Sequence, residues 1–214
     1  MALNPEFAAN PDPRCACVLL LDTSGSMDNA PIQALNQGLQ TFQTDIQEDP
    51  LAKRRVELAI VTFGGSVHKV QDFTSAGSFA APTLAAGGGT PMGEAIVLGL
   101  QLVKNRKAEY KSNGVLYYQP WIFLITDGEP TDEWQSAAQM VQTEMSANAL
   151  TFFAVGVGGA NMQILSMITP RALKLEGLKF KDLFLWLSQS QKRVSGSKPG
   201  QQTALPQIGF GSPV

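Results

Sequence analysis

Asp22-Thr23-Ser24-Gly25-Ser26 places a carboxylate and two hydroxyls at positions i, i+2 and i+4, directly after the apolar run Val18-Leu19-Leu20-Leu21. Oxygen donors at that spacing in one short loop suit a hard cation such as Mg²⁺. The apolar run reads as a buried strand, so the loop lies at a strand's C-terminal end, where open α/β sheets bind ligands. Two further oxygen donors hold comparable places: Thr90, between a Gly-rich stretch and Pro91, and Asp127-Gly128, after the apolar stretch Trp121 to Thr126. Brought to one sheet edge, Asp22, Ser24, Ser26, Thr90 and Asp127 surround a single point. Such a set fits octahedral Mg²⁺ at about 2.0–2.1 Å, with Mn²⁺ or Ca²⁺ as the other candidates. Ser24 and Ser26 are expected to bind directly, and Asp22, Thr90 and Asp127 directly or through water.

Two carboxylates leave a divalent ion with much of its positive character when one or both act through water. A vacant coordination position then favours an outside anion, most simply the Asp or Glu of a protein partner. A storage-type calcium loop would instead enclose the ion with several carboxylates. Asp28, Glu129, Asp132 and Glu133 lie near the expected site. They suit helix starts, where the dipole favours acids, and Asp28, Glu129 and Asp132 are also candidates for touching a partner or the metal's waters. His68, beside Lys69 on an edge strand, reads as solvated rather than catalytic.

The elements that must position these residues alternate. Cys15 to Leu21 is a continuous apolar run, as a strand covered on both faces requires. A helix follows from about Pro31, with Ile32, Leu35, Leu39, Phe42 and Ile46 on one stripe, and Asp49-Pro50 ends it. Val56 to Phe63 is a second strand. Gly64-Gly65 permits a tight turn, and Ser66 to Asp72 returns as an antiparallel edge strand. Ser75 to Gly89 is a loop, and Thr90-Pro91 opens a helix with Met92, Ala95, Ile96, Gly99 and Val103 inward. Asn105 to Gln119 is polar and reads as an insertion or irregular excursion. Trp121 to Thr126 and Leu150 to Val157 are strands flanking a helix that Thr131 caps and that carries Trp134, Ala137, Ala138, Val141 and Met145. A short helix from Asn161 to Met167, a strand near Ala172 to Leu175 and a helix from about Phe180 to Val194 complete the pattern. Alternating units of this kind give an α/β fold: a doubly wound, mostly parallel sheet with one antiparallel edge strand and helices on both faces.

The chain has 214 residues, with 16 basic and 18 acidic side chains and a formal net charge of −2. That length favours one domain, and the balance offers no basic excess for nucleic acid or an anionic membrane. Lys53-Arg54-Arg55 reads as a solvated loop before a strand. Cys15 and Cys17 lack the second pair a structural zinc site needs and read as small buried hydrophobes. Without a disulfide framework or a signal-peptide pattern, a cytoplasmic location is expected. Residues 1–14 read as an N-terminal extension, of which Met1 to about Phe7 looks like a vector remnant. Residues 15–194 form the domain. Residues 195–214, rich in Gly, Pro, Ser and Gln, are expected to be a flexible C-terminal tail.

Asp22-x-Ser24-x-Ser26, the distant Thr90, and Asp127-Gly128 after an apolar strand resemble the metal-ion-dependent adhesion site of von Willebrand factor type A domains, over about Cys15 to Val194. The resemblance implies a Rossmann-like von Willebrand factor A fold and those five residues as metal positions. Ala86-Gly87-Gly88-Gly89-Thr90-Pro91-Met92-Gly93-Glu94-Ala95 and Thr126-Asp127-Gly128-Glu129-Pro130-Thr131-Asp132-Glu133-Trp134 are similar to bacterial intracellular members, closest to the TerY-type group of tellurite resistance and chemical stress. That likeness implies a metal-dependent protein-binding module beside a protein kinase or phosphatase.

Two other classes compete. A metal-dependent phosphotransferase would use Asp22 as nucleophile, but its first motif needs an acid two residues on to protonate the leaving group, and Ser24 stands there. A metal-free scaffold is the third reading, which the complete donor set opposes. Gly156-x-Gly158-Gly159 lacks the full dinucleotide pattern and follows a late strand, and the chain has no Gly-Lys-Ser/Thr phosphate loop.

Overall fold

The computed structural model describes residues 5–213. In chain order it contains α1 (Pro5–Ala9), β1 (Cys15–Asp22), α2 (Ala30–Glu48), α3 (Ala52–Arg55), β2 (Val56–Gly64), β3 (Ser66–Ser75), α4 (Met92–Ser112), β4 (Trp121–Thr126), α5 (Gln135–Ser146), β5 (Thr151–Gly156), α6 (Met162–Ile168), β6 (Ala172–Leu175), α7 (Phe180–Gly196) and β7 (Gly211–Pro213). Single 3₁₀ turns at Gly25–Met27 and Ala76–Ser78 lead the chain out of β1 and β3.

The strands form one sheet in the order β3-β2-β1-β4-β5-β6-β7. β2, β1, β4, β5 and β6 run parallel. The expected antiparallel edge strand is β3, hairpinned to β2. The opposite edge carries one further short strand, β7, antiparallel to β6. Every residue of β1 is buried because helices cover both faces. Alternate side chains therefore enter different cores. Cys17, Leu19 and Leu21 pack in a cluster with Leu39 and Phe42 of α2 and Phe184 of α7. Val18 and Leu20 join Ile96 of α4, Val141 of α5 and Leu165 of α6. α2 and α7 approach closely at Gly38, where a Cβ would lie 2.6 Å from Cδ2 of Phe184.

Three stretches differ from the sequence expectation. α4 does not give way at Asn105 but continues to Ser112. Its last turns keep an inward face made of Arg106, 7% exposed, and Tyr110, fully buried. Both reach the buried carboxylate of Glu57 on β2: Arg106 Nε donates to it at 2.8 Å, and the Tyr110 hydroxyl donates to the same oxygen. Arg14 Nε donates to the other oxygen at 2.8 Å. Lys53-Arg54-Arg55 belongs to the short α3 rather than a loop; Arg54 pairs with Asp12 at 2.9 Å, and Arg55 Nη1 donates to the Ser195 carbonyl at 2.7 Å.

The third is the C-terminal stretch, expected to be flexible. α7 runs to Gly196, and the chain then returns along the sheet. Trp186 Nε1 donates to the Pro206 carbonyl at 2.9 Å, and Phe210, fully buried, meets the Trp186 ring edge-on at 5.6 Å. Apolar anchors spaced through a polar segment hold it down. At the other end, Met1 to Asn4 of the supposed remnant lie outside the described residues, whereas Phe7 is 3% exposed and packs on Tyr110. No helix among the described residues is long and apolar enough to cross a membrane.

Candidate metal centre

Parallel β1 and β4 lie side by side, so their C-terminal ends bring Asp22 and Asp127 to the same sheet edge. Asp22 is fully buried at the last position of β1. Its Oδ1 accepts from the backbone N–H of Ser24 at 2.8 Å, which closes the loop into a tight turn. Its Oδ2 accepts from the hydroxyl of Thr126, the last residue of β4. Ser24 Oγ and Ser26 Oγ lie 3.0 Å apart, and Ser26 Oγ donates to Asp127 Oδ1 at 2.6 Å. Ser24 is 1% exposed, while Ser26 stands at the surface and Asp127 is half-buried.

Thr90, 5% exposed, enters from the Gly-rich loop. Backbone hydrogen bonds staple that loop to the end of β1: Gly25 N donates to Gly88 O at 2.9 Å, and Gly87 N to Thr23 O at 2.8 Å. Gly88 has φ +77°, and a Cβ there would fall 2.5 Å from Gly65 Cα, so a side chain would push the loop off. Thr131 fixes the Thr90 backbone on both sides, accepting from Thr90 N at 3.0 Å through Oγ1 and donating its own N–H to Thr90 O at 2.9 Å.

The donors meet beside Gly128. A Cβ built there would lie 3.2 Å from Thr90 Oγ1, 3.5 Å from Ser26 Oγ and 3.8 Å from Asp22 Oδ2. That glycine leaves open a small cradle with oxygens from two loops, and Ser24 and Asp127, the latter from a third, adjoin it through Ser26. The structure thus brings together all five residues singled out from the sequence. The donor set, two carboxylates and three hydroxyls, is all oxygen and fits a hard divalent cation. Among the described residues no group of three or more His, Cys, Asp or Glu side chains forms a metal-holding cluster. Any ion here would rest on the hydroxyls as much as on the acids.

Burial pushes the Asp22 carboxyl above the usual carboxylate range, and the neighbouring charge of Asp127 adds to the effect. Hydrogen bonds from Ser24 and Thr126 oppose it. An apposed cation would offset that desolvation.

The rim candidates have separate surroundings. Both Asp132 oxygens accept from the first amides of α4, Gly93 N at 3.0 Å and Glu94 N at 2.8 Å, so this acid caps a helix and fixes the Thr90 loop. Glu129, exposed, accepts from Asn161 Nδ2 at 2.9 Å, and exposed Asp28 accepts from Asn29 N at 2.7 Å. Sequence reasoning missed Thr126, noted Gly128 only beside Asp127, and took Thr131 for the cap of a helix that starts only at Gln135, whereas its hydroxyl binds the Thr90 loop. A hydroxyl ending an otherwise apolar strand was the signal for Thr126. Cys15 and Cys17 are buried far from this edge at the start of β1, as expected for packing residues. Burial pushes the Cys15 thiol up to about 12.

A family model for the von Willebrand factor type A domain matches residues 17–179, well over half of the chain. The chain belongs to the von Willebrand factor type A domain family. No curated protein matches it. Among solved structures, this von Willebrand factor A domain is similar to the pilus adhesin SpaC of Lactobacillus rhamnosus GG in its open conformation, with TM-score 0.67 and 16% identity over 86% of this chain and 31% of that one. It is also similar to manganese-loaded TRAP protein of Plasmodium vivax, with TM-score 0.56 and 18% identity over 80% of this chain and 73% of that one. A third likeness is to proximal thread matrix protein 1 of the mussel byssus with a zinc-occupied MIDAS motif, with TM-score 0.53 and 16% identity over 85% of this chain and 48% of that one. At these identities the likenesses show the fold. The chain spans under half of the adhesin and the mussel protein.

Proposed function

We propose that this von Willebrand factor A domain is a divalent-metal-dependent protein-binding module. Asp22, Ser24, Ser26, Thr90 and Asp127 would hold Mg²⁺, with Mn²⁺ or Ca²⁺ as substitutes. The observation that carries the reading is the oxygen-lined cradle beside Gly128, where Asp22 and Ser26 from the end of β1 and its loop meet Thr90 from the Gly-rich loop. A bound cation would supply a Lewis-acidic position for a carboxylate from outside. The protein's own groups do the rest: the Asp22–Thr126 bond and the Gly-rich staples hold the donors in place, and Ser26 and Asp127 border the open mouth. The manganese named with the TRAP structure and the zinc named with the mussel protein support a divalent ion in this fold. The partner would present an Asp or Glu to the site, and exposed Asp28 and Glu129 would border it, with Asp132 acting behind them as a cap.

The likeness of residues 86–95 and 126–134 to TerY-type proteins supports a role for this module in a bacterial tellurite-resistance or chemical-stress system, in the cytoplasm. A kinase or phosphatase of that system would be the acid-bearing partner. The module itself would not be an enzyme. Both Asp22 oxygens already accept hydrogen bonds, from Ser24 and Thr126, which disfavours it as a nucleophile.

Affinity capture tests this reading, with wild type, Asp22→Ala and Thr90→Ala as bait in Mg²⁺ and in chelator. The expected prey is retained by wild type in Mg²⁺ and lost with chelator or either substitution. Equal retention by all three would overturn the metal-dependent reading. Metal-dependent hydrolysis of a generic phosphate ester, lost in Asp22→Asn, would favour the phosphotransferase instead.

A further inference from the structure

At the end of the sheet opposite the metal cradle, two arginines and two aromatic rings surround a hollow. Arg14 precedes β1, and Arg106 and Tyr110 lie in the last turns of α4. β1 alone separates this end from the cradle by about 25 Å at the usual rise per strand residue. The hollow is filled by a side-chain pair from α1. The Phe7 ring lies edge-on to Tyr110 at 5.8 Å. The Arg106 guanidinium stands 5.1 Å and that of Arg14 5.6 Å from the Phe7 centroid. Arg106 is also 5.6 Å from the Phe73 ring on β3. The Glu6 carboxylate, itself exposed, meets Arg106 Nη2 at 2.5 Å.

The hollow is built without α1. Arg106 Nε is bound to Glu57 and Nη1 to Glu109 at 2.7 Å, and Arg14 Nε is bound to Glu57. Tyr110 donates to Glu57 and faces Tyr117 at 5.5 Å. These contacts fix the two guanidinium planes and the rings whatever occupies the space between them. α1, by contrast, is a five-residue helix, far too short to hold itself. The chain is tied down independently just after it. Asn10 Nδ2 donates to the Arg54 carbonyl at 2.8 Å, Asp12 pairs with Arg54, and Arg14 donates to the Asp12 and Asn10 carbonyls at 2.7 and 2.6 Å. Pro5–Ala9 can therefore leave by turning about Asn10 without unravelling β1. Its departure would uncover a desolvated guanidinium edge beside aromatic rings, a combination that binds an acid and an aromatic side chain together.

We propose that this hollow is a second peptide-docking site, specific for an acidic residue followed by an aromatic one in a partner protein, and that Glu6-Phe7, native or appended, occupies it in cis in this chain. The module would then hold partners at two ends, a carboxylate at the cradle and an acid–aromatic segment at the hollow. The cis segment competes with the second of these, so the apparent affinity for a partner depends on how often α1 is open.

The test uses the full chain carrying Glu6→Gln and Phe7→Ala, and a fluorescein-labelled heptapeptide of residues 4–10, read by fluorescence anisotropy. Saturable binding is expected for the variant, at least tenfold weaker binding for wild type, and at least tenfold weaker binding to the variant for peptides with Gln in place of Glu or Ala in place of Phe. A folded variant that shows no saturable binding, or one that binds the altered peptides equally well, overturns the proposal. If the double variant loses its cooperative melt, α1 is an integral strut and the proposal also fails. Hydrogen exchange on wild type reads the same point without mutation. Amides of α1 opening locally, well before those of β1, support the proposal; exchange by global unfolding alone refutes it. A wild-type dimer held by exchanged N-terminal segments would assign the hollow to a second copy and overturn the partner assignment.

Discussion

Gly128→Ala separates the proposed metal cradle from the fold that carries it. The added methyl would stand 3.2 Å from Thr90 Oγ1, 3.5 Å from Ser26 Oγ and 3.8 Å from Asp22 Oδ2, in the space the donors share. Gly128 does not sit at positive φ, so alanine brings no backbone strain. The smaller conformational freedom of the unfolded alanine chain stabilises by about 0.4–1 kcal/mol. The single tight contact, to a hydroxyl, opposes this by a similar amount. Without metal the variant should therefore stay within about 1 kcal/mol of wild type. With Mg²⁺ at a hundred times its dissociation constant, wild type gains about 2.7 kcal/mol, or roughly 5–11 °C in Tm for a chain of this size. The methyl should abolish that gain. Gly87→Ala is the control, because a Cβ there meets nothing within 4 Å. Differential scanning calorimetry in chelator and in excess Mg²⁺ reads all three proteins. A Gly128→Ala protein that gains as much from Mg²⁺ as wild type would refute the placement of the ion. A loss of folding without metal would refute the claim that the cradle is open space.

Asp22→Asn tests the buried charge. The folded carboxyl titrates above its unfolded value. The metal-free fold is therefore undisturbed below the ordinary aspartate pKa of about 3.9, and is progressively destabilised as pH rises from there through the raised folded value. Without metal the Asn variant should match or exceed wild type near neutral pH in urea titrations, and lose that advantage in acid; a deficit that grows with pH would contradict this. Asp132→Ala removes both side-chain acceptors at the start of α4 and should lower unfolding free energy by about 1–2 kcal/mol, measured the same way. Phe210→Ala should cost about 3–5 kcal/mol and shift tryptophan emission to the red, because it opens the space beside Trp186. Unchanged stability would mean that the C-terminal stretch does not seal the core.

The convergence of the candidate residues was readable in the sequence because they interrupt strong patterns. Asp22 ends an unbroken apolar strand, Asp127 follows another, and Thr90 stands between a glycine run and a proline. The strand alternation then fixes which sheet edge they share. The parts that escaped reading depend on partners far along the chain. Arg106 and Tyr110 look like an exposed polar stretch until Glu57, on β2, provides their buried acceptor. Both continue the inward stripe of α4 at +3 and +7 from Val103, but their polar side chains hide that period until the distant acceptor is known. Asp132 resembles a free acid on a partner-facing loop, yet its amide donors lie in α4. Phe210 is one aromatic in a Gly- and Pro-rich segment, and its socket beside Trp186 forms when α7 packs against the sheet. Composition reports the average character of such a tail and not its anchors.

Titration of chelator-stripped protein with Mn²⁺, followed by the paramagnetic resonance signal of the free ion, tests the metal-binding claim most directly. Wild type should take up a single Mn²⁺ per chain, Mg²⁺ should displace it, and Asp22→Ala and Asp127→Ala should leave the added ion free. A wild-type protein that leaves the free-ion signal untouched, or an Asp22→Ala protein that binds as tightly as wild type, would contradict it.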